Sequence, residues 1–420
     1  MKKSIVLFVI FSLLISVSLF AAGGAQQAPG GRQTVNFWYL WGGDEAGLIE
    51  KVIDSYNKSQ SKYTVVGLST PDQAKIITGI SGGNGPDVTD DFHHNAPLYA
   101  DEQIALPLDE YIVRDKLDTS KFVKNAYDLM KYNGKIYMLP LSVNIDALYY
   151  NKDLLAKAGI TTLPKTLEEL MQMGHDTTIA QGGQITQLGS NLVSVQDWIY
   201  AYTYANGTNF GSVGNLTPNN AGFRKVLDYI ASEVAAFGST PLNNFITSGM
   251  SNIYSPQDPF FQGKQVFRIE GAWFYNMCKS AGVNFDIMPI PGAKSVGGTG
   301  YTFLGCSTMF IPTTTKNKEG AWDFVKYITY GDGAKVFITL KGDCPALQAL
   351  STDKDVVNAA PHFKTYLDIV SNGTMIGLPL FTGAQEYSKA ILDAVTNVQL
   401  GGAVDKAMTD LQAAVARIGT

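Results

Sequence analysis

The sequence predicts an α/β protein with two lobes, and three observations support this fold class. Helix-like and strand-like hydrophobic patterns alternate along the chain, which is typical of α/β proteins with largely parallel sheets. The chain has 420 residues, which is too long for one ordinary domain. One strand pattern, at residues 139–149, is about twice the usual strand length, so it can cross from one lobe to the other.

The first 25 residues have the composition of a secretory signal peptide. Lys2 and Lys3 precede an apolar run at residues 5–20, and small residues at 21–25 follow it. An uncleaved membrane anchor is the alternative, because the run approaches the length that spans a bilayer. No cysteine lies near the expected cleavage region, so lipid attachment there is not expected. Residues 26–32 are expected to form a flexible leader.

Composition narrows the classes of function that remain. The formal net charge is -5 and no basic block occurs, which argues against nucleic acid as a partner. After the leader, no run of eighteen apolar residues occurs, so no later segment is expected to span a membrane. Cys278, Cys306 and Cys344 are an odd number without metal-like spacing. We therefore expect three buried small apolar side chains, although one pair could form a disulfide after export.

The elements of the first half follow from their hydrophobic periods. Apolar alternation and helical spacing predict a βαβ unit, then a helix that breaks at a glycine cluster, then a further strand. In chain order, these elements lie at residues 34–40, 49–56, 63–68, 72–80 and from 86 onward.

Residues 134–170, GKIYMLPLSVNIDALYYNKDLLAKAGITTLPKTLEEL, are the most informative stretch of the chain. From residue 139 to 149 the odd positions are apolar, and Ser142, Asn144 and Asp146 alternate with them on the opposite face. Asn151 is expected to cap a helix that Gly159 ends. Pro164, Thr166 and Glu169 then supply a stop and a capping box for the next helix. The stretch therefore predicts one long strand that leads directly into a capped helix.

The second half shows the same alternation. Residues 151–286 are mostly helical by pattern, and their loops are rich in Asn and Gly. A strand at residues 266–274 is expected to run into a loop at Trp273. A strand at 304–312 precedes an amphipathic helix, and two further helices with apolar faces end the chain.

The stretch at residues 134–170 resembles the cross-over of the bacterial extracellular solute-binding proteins of ABC importers, the sugar-binding family that includes maltose-binding protein. The matching motifs are G-K-x-Y-x-x-P, L-Y-Y-N-K-D-L and P-x-T-x-x-E-L, with Leu167 where the family often has an aromatic residue. Further matches are the G-x-W segment at Trp273 and I-P-x-x-x-K-N-K-E at residues 311–319. The resemblance covers essentially the whole mature chain.

This resemblance implies a two-lobed periplasmic-binding-protein-like fold of class II, with discontinuous lobes joined by hinge crossings. The N-terminal lobe would comprise residues 33–143 plus 290–342, and the C-terminal lobe 147–287 plus 346–420. The hinges would lie near residues 144–146, 288–289 and 343–345. The ligand would bind between the lobes, beyond the carboxyl ends of the strands.

The implied function is capture of a sugar or oligosaccharide and its delivery to the permease subunits of an ABC transporter. The resemblance implies a secreted, periplasmic protein, expected to be a monomer, without catalytic residues, cofactor or metal. One alternative keeps the fold but binds a glycerol phosphate, a polyamine or a peptide. Another is a secreted glycoside-acting enzyme, which would need two opposed carboxylates.

A sugar site needs carboxylates or amides beside flat aromatic faces, because a sugar offers both hydroxyl groups and apolar C–H patches. Candidates from the N-terminal half follow strand ends or lie on the crossing strand. Each has a structural alternative: core packing for an indole, helix capping for an acid, a solvated loop for residues 91–95, or hinge hydrogen bonding for an amide. The candidates are Trp41, Asp44, Glu45, Asp91, His94, Asn95 and Asn144.

The resemblance places further candidates in the second half. Trp273 is the strongest of them, while core packing is the alternative for Trp198, and Gly305 would allow close approach of the backbone. These candidates are Asp197, Trp198, Glu270, Trp273, Gly305, Glu386 and Tyr387. A metal site formed by Asp90, Asp91, His93 and His94 is disfavoured, because adjacent residues on an extended chain diverge.

Overall fold

The computed structural model describes residues 31–297, 301–372 and 374–418. The signal-peptide prediction for residues 1–25 lies outside these ranges. Within them, no helix is both long enough and apolar enough to cross a membrane.

Strands and helices alternate along the described chain, as the periodicity predicts. The strands are β1 (Gln33–Tyr39), β2 (Tyr63–Ser69), β3 (Val88–Phe92), β4 (Lys131–Tyr132), β5 (Lys135–Ile136), β6 (Leu139–Asn151), β7 (Ile179–Gln181), β8 (Gln184–Gln187), β9 (Gly211–Ser212), β10 (Asn215–Leu216), β11 (Phe267–Gly271), β12 (Phe285–Met288), β13 (Tyr301–Phe310), β14 (Cys344–Pro345) and β15 (Thr374–Ile376).

The helices account for most of the chain between the strands. They are α1 (Gly43–Ser59), α2 (Gln73–Ser81), α3 (Ala96–Asp101), α4 (Asp109–Arg114), α5 (Lys124–Asp128), α6 (Lys152–Lys157), α7 (Leu167–Thr177), α8 (Asp197–Ala205), α9 (Ala221–Phe237), α10 (Ser239–Ser251), α11 (Trp273–Ser280), α12 (Lys318–Thr329), α13 (Asp332–Lys341), α14 (Lys354–Ala359), α15 (Phe363–Asn372), α16 (Ala384–Gln399) and α17 (Val404–Val415).

The main sheet has the strand order β11-β6-β13-β3-β1-β2, with β12 and β14 also paired to β6 and β15 paired to β13. β1 runs parallel to β2 and β3, but every partner of β6 runs antiparallel to it. The expectation of a largely parallel sheet therefore holds for β1 to β3 and fails around β6. There the long strand and the segments that pair with it pass each other in opposite directions.

The long strand predicted at residues 139–149 is β6, which has 13 residues and spans roughly 43 Å. As predicted, Asn151 caps α6 by accepting a hydrogen bond from Leu154 N–H over 3.0 Å. Gly159 adopts φ +72° just beyond that helix. Thr166 caps α7, and Glu169 reaches back to the N–H of Lys165. Local sequence therefore fixes this strand and the starts of both helices that follow it.

Two hydrophobic cores lie on the two sides of β6, which contributes Tyr149 to the first and Leu148 to the second. The first core contains the side chains that β1, β2 and β3 bury, and the second is built mainly from α8, α9, α16 and α17. Phe274 and Phe363, from segments assigned by the sequence to the C-terminal lobe, belong to the first core. The lobe boundaries themselves stay a prediction.

Two local expectations have clear outcomes. All three cysteines are free and buried, which confirms their prediction as small apolar side chains. The loop expected at Trp273 is instead the first turn of α11, because β11 ends at Gly271 and a helix begins two residues later.

Candidate ligand-binding site

The even-numbered side chains in the middle of β6 form its polar face, and most of this face is buried. Ser142 and Asp146 are 0% and 1% exposed, whereas Asn144 is partly exposed. Ser142 donates to Asp343 Oδ2 over 3.3 Å, and Asn144 Nδ2 lies 3.5 Å from Ser307 Oγ. Because that contact is long, hinge bonding and ligand binding both stay predictions for Asn144.

Asp146 carries a buried oxygen that lacks a hydrogen-bond partner. Its backbone is held by Thr302: the N–H of Asp146 lies 3.1 Å from Thr302 Oγ1, and that hydroxyl donates to the carbonyl of Asp146 over 2.9 Å. Its side-chain Oδ2 has no partner within the described ranges. Burial, and then the neighbouring Asp197 and Glu270 carboxyl groups, raise the pKa of Asp146 well above its ordinary value.

Asp197 is the first residue of α8, where an acidic side chain is favoured by the helix dipole. Burial, and then Glu270, raise the pKa of Asp197 to about 7. Since Asp146, Asp197 and Glu270 come from β6, α8 and β11, the fold brings together three acids that are far apart in sequence. We call them the carboxyl cluster.

Glu270 is buried in an ion-pair network. Arg268 NH2 lies 2.7 Å from Glu270 Oε1, and Arg268 NH1 lies 2.9 Å from Asp258 Oδ1, with all three side chains fully buried. The hydroxyl of Tyr254 donates to Glu270 Oε2 over 3.1 Å. Burial raises the pKa of Glu270, and Arg268 opposes that shift. Both oxygens of Glu270 therefore have protein partners, and its predicted ligand contact stays untested.

Trp273 and Tyr254 form what we call the aromatic corner. The indole N–H of Trp273 donates to the Tyr254 hydroxyl over 3.3 Å, and both side chains are partly exposed. The backbone of Tyr254 has φ +63°, a strained value for a bulky residue, and its N–H donates to Asp258 Oδ2 over 2.9 Å. A Cβ on Gly271 would lie 1.9 Å from the indole ring of Trp273. The corner therefore requires glycine at that position.

Asp91, at the end of β3, is surrounded by donors. Gln73 Nε2 donates to Oδ2 over 2.9 Å, while Asn95 Nδ2 and Phe92 N–H donate to Oδ1 over 2.9 and 2.7 Å. The hydroxyl of Tyr99 also donates to Oδ2. Because both carboxyl oxygens already have partners, Asp91 orders the 91–95 segment. Its own contact with a ligand stays a prediction.

Asn95 connects this segment to the start of α16. Gln385 Nε2 donates to Asn95 Oδ1 over 2.5 Å, and the hydroxyl of Thr382 donates to Asp101. Glu386 follows Gln385 and is exposed. The structure thus joins two segments that the resemblance assigns to opposite lobes.

His94 stacks on Phe92, with ring centroids 5.8 Å apart and an interplanar angle of 5°. Phe92 is 43% exposed, so the stack presents an aromatic surface at the end of β3. His93 is buried, and its Nδ1 accepts a hydrogen bond from Cys306 N–H over 3.1 Å. Burial, and then His94, lower the pKa of His93 to about 3. A Cβ on Gly305 would lie 3.5 Å from His93 Cε1, so Gly305 allows the backbone to pass close to that ring.

Trp41 and Glu45 contact α13. The ring of Trp41 packs on Phe337 with centroids 5.6 Å apart, and Lys341 Nζ lies 5.7 Å from the indole. Lys341 is paired with Glu45, and burial lowers the pKa of Lys341. Asp44 is exposed in the first turn of α1. The packing and first-turn-acid alternatives thus describe this region, whereas the N-cap of α1 is Gly42 and no side chain caps the helix. The ligand roles stay predictions.

Trp198 and Tyr387 lie in the core. They are 3% and 0% exposed. Trp198 packs edge-on against Tyr202 at 5.6 Å, and the Tyr387 hydroxyl donates to the carbonyl of Phe210 over 2.8 Å. Their burial favours the core-packing alternative given for Trp198, because helical spacing turns both rings into the second core. Their ligand roles stay predictions.

Sequence reasoning missed three residues that this arrangement makes prominent: Asp146, Tyr254 and Gln385. Asp146 could have been found, because it shares the polar face of β6 with Asn144. Tyr254 and Gln385 carried no local signal, since their partners lie 16 and 290 positions away.

Two further features of the described residues bear on other kinds of site. Among them, no group of three or more His, Cys, Asp or Glu side chains could hold a metal ion. A groove of about 340 Å³ lies between β8, α10 and residues 257–264, and none of the predicted ligand-binding residues lines it.

Comparison with known proteins places this geometry in a family. The model of the family described as bacterial extracellular solute-binding protein matches residues 51–365, which is more than half of the chain. The chain belongs to this family. That membership confirms the resemblance drawn from the crossing segment.

Curated relatives and solved structures agree with it. The maltotriose-binding protein of Pyrococcus abyssi is 24% identical, with 79% of this chain and 71% of that protein covered. The maltooligosaccharide ABC transporter solute-binding lipoprotein of Streptococcus pneumoniae is 27% identical, with 71% of this chain and 69% of that protein covered. The structure of CpMnBP1 with mannotriose bound has a TM-score of 0.81 at 28% identity, covering 91% of this chain and 99% of that one. The two-lobed α/β fold class is therefore confirmed.

Proposed function

We propose that the protein captures a neutral sugar or oligosaccharide between its two lobes and delivers it to the permease of an ABC transporter. Family membership supports the solute-binding role. The curated relatives include maltotriose-, maltooligosaccharide- and galactooligosaccharide-binding proteins, and the similar structures hold mannotriose or mannobiose. Delivery to a permease follows from the family alone.

The observation that carries the proposal is the aromatic corner beside the carboxyl cluster. Trp273 and Tyr254 present partly exposed rings. Tyr254 donates to Glu270, which interacts electrostatically with Asp146 and Asp197. A pyranose needs this combination, because its C–H face packs on an aromatic ring while its hydroxyl groups need acceptors. An exposed aromatic pair is otherwise costly to keep in water.

A thermal-shift panel tests this proposal. Mannobiose, mannotriose, maltotriose and a galactooligosaccharide are compared with glycerol phosphate, a polyamine and a peptide. A ligand at about 100 times its dissociation constant stabilises the folded protein by ~2.7 kcal/mol, so a bound sugar should clearly raise the melting temperature. A shift only with the phosphate ester, the polyamine or the peptide would contradict the sugar proposal.

A glycoside-acting enzyme is the second candidate, because Asp197 has a raised pKa beside another carboxyl group, as a general acid would. We propose binding without catalysis. Incubation of each oligosaccharide with the protein, followed by chromatography, should return only intact ligand. Cleaved product that disappears in Asp197→Asn would favour the enzyme instead.

We also propose that the predicted leader directs the protein to the periplasm as a free monomer. Mass spectrometry of the exported protein should find an N-terminus near residue 26 without an attached lipid, and light scattering should give the mass of one chain. A lipid-modified or uncleaved form would contradict this.

A further inference from the structure

Residues 95–101 and residues 381–387 are joined by hydrogen bonds, although each segment packs into a different hydrophobic core. Tyr99 buries its ring in the first core, while Phe381 and Tyr387 belong to the second. The hydrogen bonds between the two segments are made by side chains. They can therefore break and form again without disturbing the packing of either core.

Asn95 presents an acceptor to the second segment, because its other end is already used. Its Nδ2 donates to Asp91 Oδ1 over 2.9 Å, and an ionised carboxylate can only accept. Turning the amide over would place its own oxygen against that carboxylate. The Oδ1 atom of Asn95 therefore faces the other segment, where Gln385 Nε2 donates to it over 2.5 Å.

Asp101, the last residue of α3, is the second acceptor. The hydroxyl of Tyr132 in β4 donates to Asp101 Oδ2 over 2.8 Å and orients the carboxylate. The hydroxyl of Thr382 donates to the same oxygen. Thr382 precedes α16, whose N-cap residue Gly383 makes no side-chain capping bond. The charge of Asp101 thus lies beside a helix N-terminus, where the helix dipole favours it.

The two sides of this contact have opposite hydrogen-bonding character. Asn95 and Asp101 both accept, and we call them the acceptor side. Thr382 and Gln385 both donate, and we call them the donor side. Two acceptors cannot bond each other, so each side needs the other as its partner. The contact is therefore complementary across the boundary between the two cores.

We propose that the acceptor side and the donor side form a latch, which engages when the two lobes close around a ligand and sets how long the closed form lasts. The inference rests on the proposed function, and it assigns the lifetime of the closed complex to four residues at one edge of the two lobes. Both donors are exposed side chains, so each bond is weak by itself. The latch slows opening and does not hold the lobes shut without a ligand.

The latch affects the two rate constants of binding differently. Its hydrogen bonds form only after closure, so they stabilise the closed complex and not the first encounter between sugar and open protein. Loss of the latch should therefore speed dissociation of the sugar and leave its association unchanged.

The first experiment uses the full mature chain with Thr382→Val, Gln385→Leu and both together. Thr409→Val and Gln172→Leu are the matched controls, because these exposed side chains bond only within their own helices, Thr409 to the carbonyl of Asp405 and Gln172 to Asp176. Stopped-flow tryptophan fluorescence with mannotriose and with maltotriose gives the association and dissociation rate constants.

We expect the dissociation rate constant to rise by about threefold in each single variant and by about tenfold in the double variant. The association rate constant should not change, and the controls should resemble the wild type in both. An unchanged dissociation rate constant in the double variant, or an effect on association alone, would overturn the latch.

The second experiment joins the two sides covalently. Asp101→Cys and Thr382→Cys are combined in one chain and linked by a short bis-maleimide, while the three native cysteines are buried and should not react. Without ligand, the linked protein should have a smaller radius of gyration by X-ray scattering than the same variant before linking. Linked after loading with sugar, it should retain that sugar through gel filtration. Asp101→Cys alone, treated with the same reagent, is the control.

The outcomes separate this inference from the proposed function. If the wild type binds mannotriose or maltotriose but the linked protein releases it as fast as the control, the latch is overturned and the proposed function stands. If the wild type binds none of the sugars in the thermal-shift panel, the proposed function fails. The radius of gyration then decides the latch alone: an equal value before and after linking would overturn it.

Discussion

Asp91 and Asp146 are two buried aspartates of the same sheet, and their surroundings are opposite. Asp91 receives hydrogen bonds from Gln73, Asn95, Tyr99 and a backbone N–H. Asp146 has one oxygen without a partner in the described chain. Hydrogen-bond donors thus surround the carboxyl group of Asp91, whereas Asp146 Oδ2 has none in the described chain. This difference indicates that the region around Asp91 stabilises the fold, whereas the region around Asp146 is available to a ligand.

Arg268→Met should give the largest effect, because it leaves the buried Asp258 and Glu270 without their shared cation. The free energy of unfolding should fall by about 3–5 kcal/mol, as measured by denaturant unfolding. Arg114→Met is the matched control: the Arg114–Glu319 pair is exposed and should cost at most about 1 kcal/mol. Equal losses in the two variants would show that the buried network does not hold the carboxyl cluster.

Asp91→Ala should lower the free energy of unfolding by about 2–4 kcal/mol, since it leaves several buried donors without an acceptor. Denaturant unfolding measures the loss, and Asp44→Ala, which removes an exposed acid at a helix start, is the control. If Asp91→Ala is as stable as the wild type but no longer binds sugar, Asp91 contacts the ligand and does not mainly stabilise the fold.

The contribution of Asp197 to the stability of the unliganded protein should be lost as the pH rises from about 4 to about 7, while buried His93, whose pKa is lowered, acts in the opposite direction. The pKa of Asp197 is raised from 3.8 to about 7 in the folded state. Between these values the folded chain binds more protons than the unfolded chain, so raising the pH favours unfolding. The effect should be on the order of 2 kcal/mol between pH 5 and pH 7, and melting temperatures check it. Asp197→Asn should remove this contribution, so the variant should gain stability relative to the wild type between pH 5 and pH 7, and an unchanged difference between the two would contradict the shift.

Trp273→Ala should weaken sugar binding by more than ~1 kcal/mol, because a stacked ring is lost. Isothermal titration with the sugar found in the panel measures the change. Trp273→Tyr, which keeps an aromatic face, should recover part of it. Unchanged affinity of the alanine variant would remove the indole from the site.

Tyr254→Phe should give the smallest effect, about 0.5–1.5 kcal/mol in affinity. The ring stays, but the hydroxyl that links Trp273 to Glu270 is lost. The tryptophan fluorescence of the unliganded protein should also change when Tyr254→Phe is made in the wild type. It should not change when Tyr254→Phe is added to a variant that already carries Trp273→Phe. An identical spectral change in both would show that Tyr254 does not act on Trp273.

Much of the fold could be predicted, because its signals are local. Alternation over β6, the Asn151 cap and the positive φ at Gly159 are set by residues within a few positions of one another. The direction of pairing around β6 could not be predicted in the same way. It depends on which distant segments lie beside the strand, and the sequence alone does not specify them.

The candidate site also has a part that the sequence predicted and a part that only the structure showed. Family motifs pointed to Trp273 and Glu270, but only the packed structure shows Glu270 held by Arg268 and Tyr254. The sequence left Trp198 open between ligand stacking and core packing, because an indole on a helix fits the core or the surface equally well until its neighbours are known.

By itself, the sequence determined the α/β class, the long crossing strand, the helix caps and the family, since each depends on short-range spacing or on a contiguous motif. The tertiary structure alone decided which carboxyl groups have donors. Asp91 finds its partners within a few residues and in the adjacent α2, while Asp146 meets Asp197 and Glu270 from elements 51 and 124 positions away. A hydrogen bond needs its two atoms within about 3 Å, and only the completed fold sets that distance for residues so far apart in the chain.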